Sequence, residues 1–312
     1  MRFNSYIRLS LLAIMAISLV VCSGGKELAA KRVIYETNMC LSVDDVGGLA
    51  MIHGLQNRGE AELLAVCLNE VHSSGAAAID AINTWYGRGD IPVGIYRGPF
   101  PDPDTSAFLS ALTQFPHDLD DDNAPDAVDV YLNVLAKQPD HSVTIISVGF
   151  MNNLGKLLST DPELVAKKVK ELVIMGAHNG DDHNLGFHNT VAAAQNVLEN
   201  WPSPLVFHHM GGDVMTGVGL KNAPEENPVR EAYFQYFNSG FDEYPSWDMM
   251  TVLYGVRGAS GYFTQTSEGT GSIPSGFTWE MKTRGDSVLE PLLSAEEYAR
   301  LIEELLLEPP LK

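Results

Sequence analysis

The sequence is short of basic residues. Among its 312 residues, 20 are Lys or Arg and 40 are Asp or Glu, which gives a formal net charge of −20 at pH 7. Proteins that bind nucleic acids or anionic membranes need clusters of positive charge, so this balance argues against both kinds of partner. The simpler interpretation is an acidic surface that keeps an exported protein soluble.

Cysteines and long apolar runs are also scarce. The three cysteines are too few for a disulfide framework. Cys40 and Cys67 each lie near the end of a predicted strand. The sequence therefore allows either a disulfide bridge between them or two free thiols. The apolar run 9–21 follows Arg2 and Arg8 and is too short for a comfortable membrane span. Its pattern is that of a secretory signal.

Residues 19–22, Leu-Val-Val-Cys, approximate the motif at which bacteria attach lipid to a cysteine. Two outcomes stay open: a lipid anchor at Cys22, or cleavage within 22–25 that releases a soluble protein. We therefore expect a signal peptide over 1–22 and one domain over 23–312, located in the periplasm or lipid-anchored at the cell envelope of a bacterium. No membrane-spanning segment is expected after processing.

Strand-like and helix-like segments alternate along the first two thirds of the domain. This alternation predicts an α/β fold with an open, mostly parallel sheet flanked by helices. The predicted strands cover 33–35, 63–68, 91–95, 143–148, 172–175 and 204–207, and the helices between them cover 44–57, 76–86, 124–136, 162–169 and 191–199.

The pattern changes in the last third. Helices are predicted over 227–237 and 248–256, followed by a small hairpin over 262–282. A capping box that starts at Ser294 opens a last helix. The long connection 99–122 is rich in Pro and Asp, and we interpret its clustered carboxylates as a solvated surface. With no internal repeat and no low-complexity linker, the sequence indicates one domain.

Residues 33–50 carry the most specific chemistry. A β-branched strand leads through a polar turn to Asp44 and Asp45 at the start of a helix, with Glu36 and Asn38 just before the turn. Open α/β sheets place ligand sites at the carboxyl ends of their strands, and oxygen ligands of this kind suit a hard cation such as Ca²⁺. The alternative is structural: Asp44 caps the helix and Asp45 complements its dipole.

Five blocks in order resemble the inosine–uridine preferring nucleoside hydrolases. They are residues 33–50, 65–94, 148–154, 172–198 and 246–254. The resemblance implies an open α/β fold with one Ca²⁺ at the carboxyl ends of the strands, and hydrolysis of the N-glycosidic bond of a ribonucleoside. An oxocarbenium-like transition state fits a site that combines carboxylates with a cation-bound water.

The resemblance also assigns metal ligands. Asp45 matches a bidentate Ca²⁺ ligand, Asp248 matches the ligand on the late helix, and the backbone carbonyl of Asn152 replaces that of a Thr. Asp44 matches an acceptor for a ribose hydroxyl. Asn38 stands where the family has an Asp that binds the metal and acts as general base, and an amide oxygen can coordinate Ca²⁺ but cannot accept a proton at neutral pH.

Other positions depart from the family as well. Asn184 and Gly186 stand where the family has Glu and Asn beside the ribose, and His72 falls near an Asn that contacts substrate. Trp247 replaces a His that assists the leaving base, and an indole can stack on a base but cannot act as a general acid. We assign Asn38, Asp44 and Trp247 to the catalytic group.

The predicted substrate contacts are Asp44, His72, Asn153 and Asn184. Glu36 is a substitute general base in this interpretation, because it shares a strand face with Asn38. The loop histidines 178, 183, 188, 208 and 209 show no spacing typical of a transition-metal site.

The leading prediction is thus an N-glycosidase that acts on a small nucleoside-like molecule. One alternative is a non-catalytic descendant that binds a sugar or nucleoside-like ligand in the same crevice, which the departures at Asn38, Asn184, Gly186 and Trp247 favour. Another is a structural domain stabilised by Ca²⁺. The sequence leaves open whether the chain acts alone or as a homo-oligomer.

Overall fold

A computed structural model describes residues 29–39, 41–101, 103–176, 183–267, 269–272, 275–282 and 284–311. The predicted signal peptide, Cys22, Cys40 and His178 lie outside these ranges. Within them, no helix is long and apolar enough to cross a membrane.

The elements alternate much as the sequence predicts. The strands are β1 Lys31–Thr37, β2 Ala61–Leu68, β3 Val93–Ile95, β4 Val143–Ser147, β5 Val169–Met175, β6 Leu205–His208, β7 Met215–Thr216, β8 Tyr244–Pro245, β9 Phe263–Thr266, β10 Thr270–Ser272, β11 Thr278–Glu280 and β12 Ser287–Pro291. The helices are α1 Asp44–Asn57, α2 Gly75–Trp85, α3 Ala107–Ala111, α4 Ala127–Leu135, α5 Asn152–Thr160, α6 Pro162–Lys168, α7 His183–Gly186, α8 Val191–Asn200, α9 Pro228–Tyr236, α10 Trp247–Arg257 and α11 Ala295–Leu306.

Eight of the described strands form one sheet in the order β3-β2-β1-β4-β5-β6-β12-β9. Neighbouring strands from β3 to β12 pair in parallel, and β9 pairs antiparallel with β12. The prediction of an open, mostly parallel sheet flanked by helices is confirmed. The order reverses between β1 and β4, and at such a switch point the diverging connections leave a crevice outside the carboxyl ends of the strands.

Both faces of the sheet are buried, because successive side chains of a strand point to opposite sides. Val33 and Tyr35 belong to a core shared with α1 and α10, whereas Ile34 belongs to a second core formed with α4, α5 and α8. Apart from β3, which lies at the edge of the sheet, the apolar strands predicted from the sequence are therefore central strands covered on both sides.

The C-terminal region differs in detail from the predicted hairpin over 262–282. Strands β10 and β11 form the hairpin, but β9 leaves it to become the antiparallel edge of the main sheet. Its partner β12 is too short and too polar to stand out in the sequence. The capping box at Ser294 is present, with reciprocal hydrogen bonds between Ser294 and Glu297 at the start of α11.

Gly47 and Gly48 let α1 lie unusually close to its neighbours. A Cβ on Gly47 would lie 2.6 Å from the hydroxyl oxygen of Tyr233, and a Cβ on Gly48 would collide with the hydroxyl of Tyr35. The paired glycines therefore serve helix packing, and this close approach brings the first turn of α1 against the sheet and α10.

The long connection over 99–122 contains α3 and a 3₁₀ turn at Leu112–Gln114. The buried carboxylate of Asp80 on α2 accepts hydrogen bonds from the backbone N–H groups of Asp118 (2.5 Å) and Leu119 (3.0 Å). The connection is thus tied to the domain by a buried side chain rather than by apolar contacts alone.

His53 on α1 makes the fold sensitive to acid. Its ring is fully buried and stacks on Tyr86 with 4.5 Å between ring centroids. Its Nε2–H donates to Asn83 (2.9 Å), and its Nδ1 accepts from Arg88 (3.3 Å). Burial, with a smaller contribution from the nearby Arg88, lowers the pKa of His53 to about 3, because both disfavour the charged ring.

Because this pKa is lower in the folded than in the unfolded chain, the unfolded chain takes up the proton first as pH falls. The contribution of the neutral His53 ring to the free energy of unfolding is complete above the ordinary histidine pKa of about 6.5 and is lost progressively below it. We expect His53→Gln to reduce the loss of unfolding free energy between pH 7 and pH 5 by about 2 kcal/mol.

Urea unfolding across this pH range measures the effect. His141→Gln is the control, because His141 is exposed and loses little hydration on folding. An unchanged pH dependence in His53→Gln would contradict the assignment.

Candidate functional site

A cavity of about 390 Å³ lies at the carboxyl ends of the central strands, beside the reversal between β1 and β4. Its walls come from the turn after β1, the first turns of α1 and α10, and the segments that follow β4, β5 and β6. The lining residues are Asn38, Leu41, Ser42, Asp44, Asp45, Val148, Met175, Asn184, His209, Tyr244, Trp247 and Asp248.

Three buried carboxylates meet in this cavity. Asp44 and Asp45 come from α1 and Asp248 comes from α10, and each offers an oxygen that lies within 4.8 Å of the oxygens of the other two. The backbone N–H of Asp248 points at the Asp44 carboxylate at 3.4 Å. Packing of α1 against α10 therefore brings together acidic residues that are far apart in the sequence, close enough to hold one metal ion.

The turn after β1 orients Asp45. One carboxylate oxygen accepts hydrogen bonds from the Thr37 hydroxyl and from the backbone N–H of Met39, the latter at 3.0 Å. The Tyr35 hydroxyl donates to the backbone carbonyl of Asp45 at 3.1 Å. Met39 has a φ of 40°, a left-handed conformation that turns the chain back over the Asp45 side chain.

The capping interpretation of Asp44 is wrong. The residue at the N-cap of α1 is Val43, which makes no side-chain capping hydrogen bond, and Asp44 is the first helical residue. Its carboxylate faces the cavity and Asp248 instead of the helix end.

Burial makes the three carboxylates hard to ionise together. Desolvation raises the pKa of Asp44 to about 6, and desolvation together with the charge of Asp44 raises the pKa of Asp45 to about 8. The pKa of Asp248 lies well above its usual value for the same two reasons. A bound cation would remove this penalty, because it favours the charged form of each group.

Several cavity residues hold an acceptor oxygen that has no partner. Within the described ranges, one side-chain oxygen each of Asn38, Asp44, Asn184 and Asp248 is buried without a hydrogen bond. The Asn184 amide donates to the carbonyls of Val148 and Met175, both at 3.1 Å, which leaves only its oxygen for a ligand. Buried acceptors of this kind suit a cation and a ligand rich in hydroxyl donors.

Aromatic side chains form another wall of the cavity. Trp247 begins α10, and its ring meets that of Tyr244 edge to face at 6.1 Å between centroids. Gly211 lies against the Trp247 backbone, since a Cβ there would be 2.7 Å from the Trp247 Cα. The sequence did not point to Tyr244, although it is only three residues before Trp247, and it gave His209 no role at this site.

Six of the residues assigned from the sequence line the cavity together: Asn38, Asp44, Asp45, Asn184, Trp247 and Asp248. The other three do not belong to its lining. His72 contacts the carbonyl of Ser106 at 3.2 Å under the long connection, Asn152 begins α5, and Asn153 donates to Glu36 at 3.0 Å.

Glu36 is not placed to serve as the substitute base. It is fully buried outside the cavity lining, where it accepts from the Tyr131 hydroxyl at 2.6 Å and from Asn69 at 2.9 Å. Burial raises its pKa to about 8. Of the loop histidines, His209 reaches the cavity, whereas His188 pairs with Glu70 at 2.8 Å.

The chain belongs to the inosine-uridine preferring nucleoside hydrolase family, whose sequence model matches residues 33–291. No curated protein matched the sequence. Similar solved structures include nucleoside hydrolases and a type III effector, all at low sequence identity, so they establish a shared fold.

An inosine-guanosine nucleoside hydrolase is 17% identical, with a TM-score of 0.63 over 90% of this chain and 100% of that one. The inosine-uridine preferring nucleoside hydrolase from Bacillus anthracis is 18% identical, with a TM-score of 0.65 over 88% and 99% of the two chains. The type III effector XopQ, determined as a complex with adenosine diphosphate ribose, is 16% identical, with a TM-score of 0.66 over 89% and 94%.

The effect of one substitution on the free energy of unfolding should depend on calcium. In a chelator at pH 8, we expect Asp248→Asn to raise the free energy of unfolding by about 1–3 kcal/mol, because it removes one of three mutually repelling buried carboxylates. If Asp248 is a ligand of Ca²⁺, the native protein should gain about 2.7 kcal/mol at about 100 times the dissociation constant and the variant much less.

Urea unfolding with and without Ca²⁺ measures both effects. Asp80→Asn is the matched control, because Asp80 is equally buried but bonds to backbone N–H groups, so this variant should lose stability in both conditions. Equal responses of native protein and Asp248→Asn to Ca²⁺ would rule out Asp248 as a ligand.

Proposed function

We propose that this protein is a Ca²⁺-dependent N-glycosidase that hydrolyses the N-glycosidic bond of an unphosphorylated ribonucleoside. The observation that carries the proposal is the group of three buried carboxylates, Asp44, Asp45 and Asp248, at the carboxyl end of a nucleoside hydrolase sheet. A cation would allow all three carboxylates to ionise together, and hydroxyl donors would satisfy the nearby oxygens that have no partner.

The donor set fits Ca²⁺ better than a transition metal. Asp45 and Asp248 offer carboxylate oxygens and Asn38 an amide oxygen. The family resemblance adds the backbone carbonyl of Asn152 as a proposed fourth ligand, at the start of α5. Oxygen-only donors of mixed charge are typical of calcium sites. Bound there, Ca²⁺ would supply the charge that orients and acidifies a water molecule for attack on the sugar.

The remaining residues hold the substrate. The free oxygens of Asp44 and Asn184 are proposed to accept hydrogen bonds from ribose hydroxyls, which fixes the sugar relative to the attacking water. The carboxylates also favour the positive charge that develops on the sugar ring in the transition state. Trp247 offers its ring as a stacking surface for the leaving base.

An unphosphorylated ligand is favoured by the charge of the cavity. Within the described part of the chain, its lining includes three Asp and one His but no Lys or Arg. The pyrophosphate of a ligand such as the adenosine diphosphate ribose bound by XopQ would therefore lack a cationic side chain here.

Asn38 favours a second candidate function, a non-catalytic protein that binds a nucleoside-like ligand in the same cavity. It lines the cavity with an unpartnered oxygen, yet an amide cannot take the proton of the attacking water. We expect the native protein to hydrolyse ribonucleosides slowly, since positioning and charge stabilisation remain without a general base.

The decisive experiment follows base release from a panel of purine and pyrimidine ribonucleosides in Ca²⁺. Asn38→Asp should raise kcat by about 100-fold or more, because general base catalysis contributes about 10²–10⁴-fold. Asn133→Asp, on the exposed face of α4, adds the same charge away from the cavity and should change nothing.

Three outcomes distinguish the three hypotheses about function. Slow native turnover supports the N-glycosidase. Nucleoside binding by the native protein with turnover only in Asn38→Asp identifies a non-catalytic binder. Ca²⁺-dependent melting without any nucleoside-induced shift identifies a structural calcium domain.

We also propose that the protein is exported. The basic start, the apolar run 9–21 and Cys22 support this. Mass spectrometry of the protein purified from a bacterial envelope distinguishes an acylated Cys22 from a simple cleavage within 22–25. A mature chain that retains residues 1–21 would contradict export by this signal.

A further inference from the structure

The buried carboxylate of Glu36 connects four elements next to the cavity without reaching it. One oxygen accepts hydrogen bonds from the amides of Asn69 (2.9 Å) and Asn153 (3.0 Å), and the other accepts from the Tyr131 hydroxyl (2.6 Å). These partners lie after β2, on α5 and on α4. Every donor in this network is neutral, so the carboxylate acts as a shared acceptor rather than as half of an ion pair.

The network extends from Asn69 to the turn over 148–153. The Asn69 side-chain oxygen accepts from the backbone N–H of Phe150 at 2.9 Å, and its backbone carbonyl accepts from the Asn152 amide at 2.9 Å. Glu36 also fixes its own end of the turn, because its backbone carbonyl accepts from the N–H of Val148 at 2.8 Å. Side chain and backbone of Glu36 thus hold opposite ends of the same turn.

This turn contacts two residues of the cavity. The carbonyl of Val148 accepts from the Asn184 amide, which leaves the Asn184 oxygen for a ligand. At Gly149 the turn lies so close to β1 that a Cβ would be 2.5 Å from the backbone nitrogen of Asn38. A shift of the turn would therefore move Asn38 and Asn184 together.

We propose that Glu36 is a positioning residue that holds Asn38, Asn184 and the turn at Asn152 in place for the cation and the sugar. This inference rests on the proposed function of the cavity. The chemical requirement at position 36 is an acceptor that can serve two amides and one hydroxyl at once. A Gln meets most of it, because its oxygen can accept from both Asn amides and its amide can donate to Tyr131, whose hydroxyl can turn toward the sulfur of Cys67.

The test compares Glu36→Ala, Glu36→Gln and native protein in Ca²⁺ titrations by calorimetry and in ribonucleoside hydrolysis. We expect Glu36→Ala to weaken Ca²⁺ binding and to lower kcat, each by about 10–100-fold, as is usual when a residue that orients ligands is removed. Glu36→Gln should restore both to within a few-fold of native protein.

Asp80→Ala is the control for general loss of stability. It removes a carboxylate as deeply buried as that of Glu36. The Asp80 carboxylate accepts hydrogen bonds from two donors, against three for Glu36, and faces the connection over 116–119 rather than the cavity. At a temperature where both alanine variants are fully folded, it should bind Ca²⁺ and turn over substrate as native protein does. If Glu36→Ala does not fold, Asn69→Ser cuts the same network at its next member and should show the same losses.

The outcomes separate the two proposals. Native Ca²⁺ affinity and kcat in Glu36→Ala would overturn the positioning role while leaving the proposed function intact. If native protein binds Ca²⁺ but hydrolyses nothing, the glycosidase proposal fails and the Ca²⁺ titrations still decide the role of Glu36. Native protein that binds neither Ca²⁺ nor nucleoside would overturn both.

Discussion

The convergence of three carboxylates in a buried cavity is the constraint on which the site depends. Asp44, Asp45 and Asp248 repel one another where water cannot screen them, and desolvation and mutual repulsion raise their pKa values. Rigid packing and a ligand can each compensate for this repulsion. The closely packed helices α1 and α10 provide the first, and the proposed cation would provide the second.

Much of the surrounding structure serves this convergence. Gly47 and Gly48 allow α1 to approach Tyr35 and Tyr233, and the left-handed Met39 brings a backbone N–H to Asp45. Beyond the carboxylates, the amide of Asn184 is bound by backbone carbonyls so that its oxygen stays free. The site is thus prepared as a set of hydrogen-bond acceptors contributed by several elements of the fold.

Two of the departures expected from the family resemblance fall on side chains that would handle protons. Asn38 and Trp247 line the cavity but neither can exchange a proton at neutral pH, whereas the proposed metal-binding carboxylates remain. The carboxylates proposed to bind the metal are thus present, whereas the side chains that would transfer protons are replaced. The chain therefore belongs clearly to the family, but the rate of any hydrolysis depends on how well the remaining residues position the substrate and stabilise charge.

The sequence by itself determined the alternation of strands and helices and the start of α1 at Asp44, because periodicity and short motifs are local properties. The resemblance to the family, rather than a local pattern, pointed to the six assigned residues that line the cavity. Only the tertiary structure decided that Asp44 does not cap its helix, that Glu36 is held away from the cavity and that β9 leaves the hairpin for the main sheet. It also added Tyr244 and His209 to the cavity wall. Those features depend on which segments pack together across long stretches of chain, and no local pattern encodes the direction in which a buried polar side chain finds its partners.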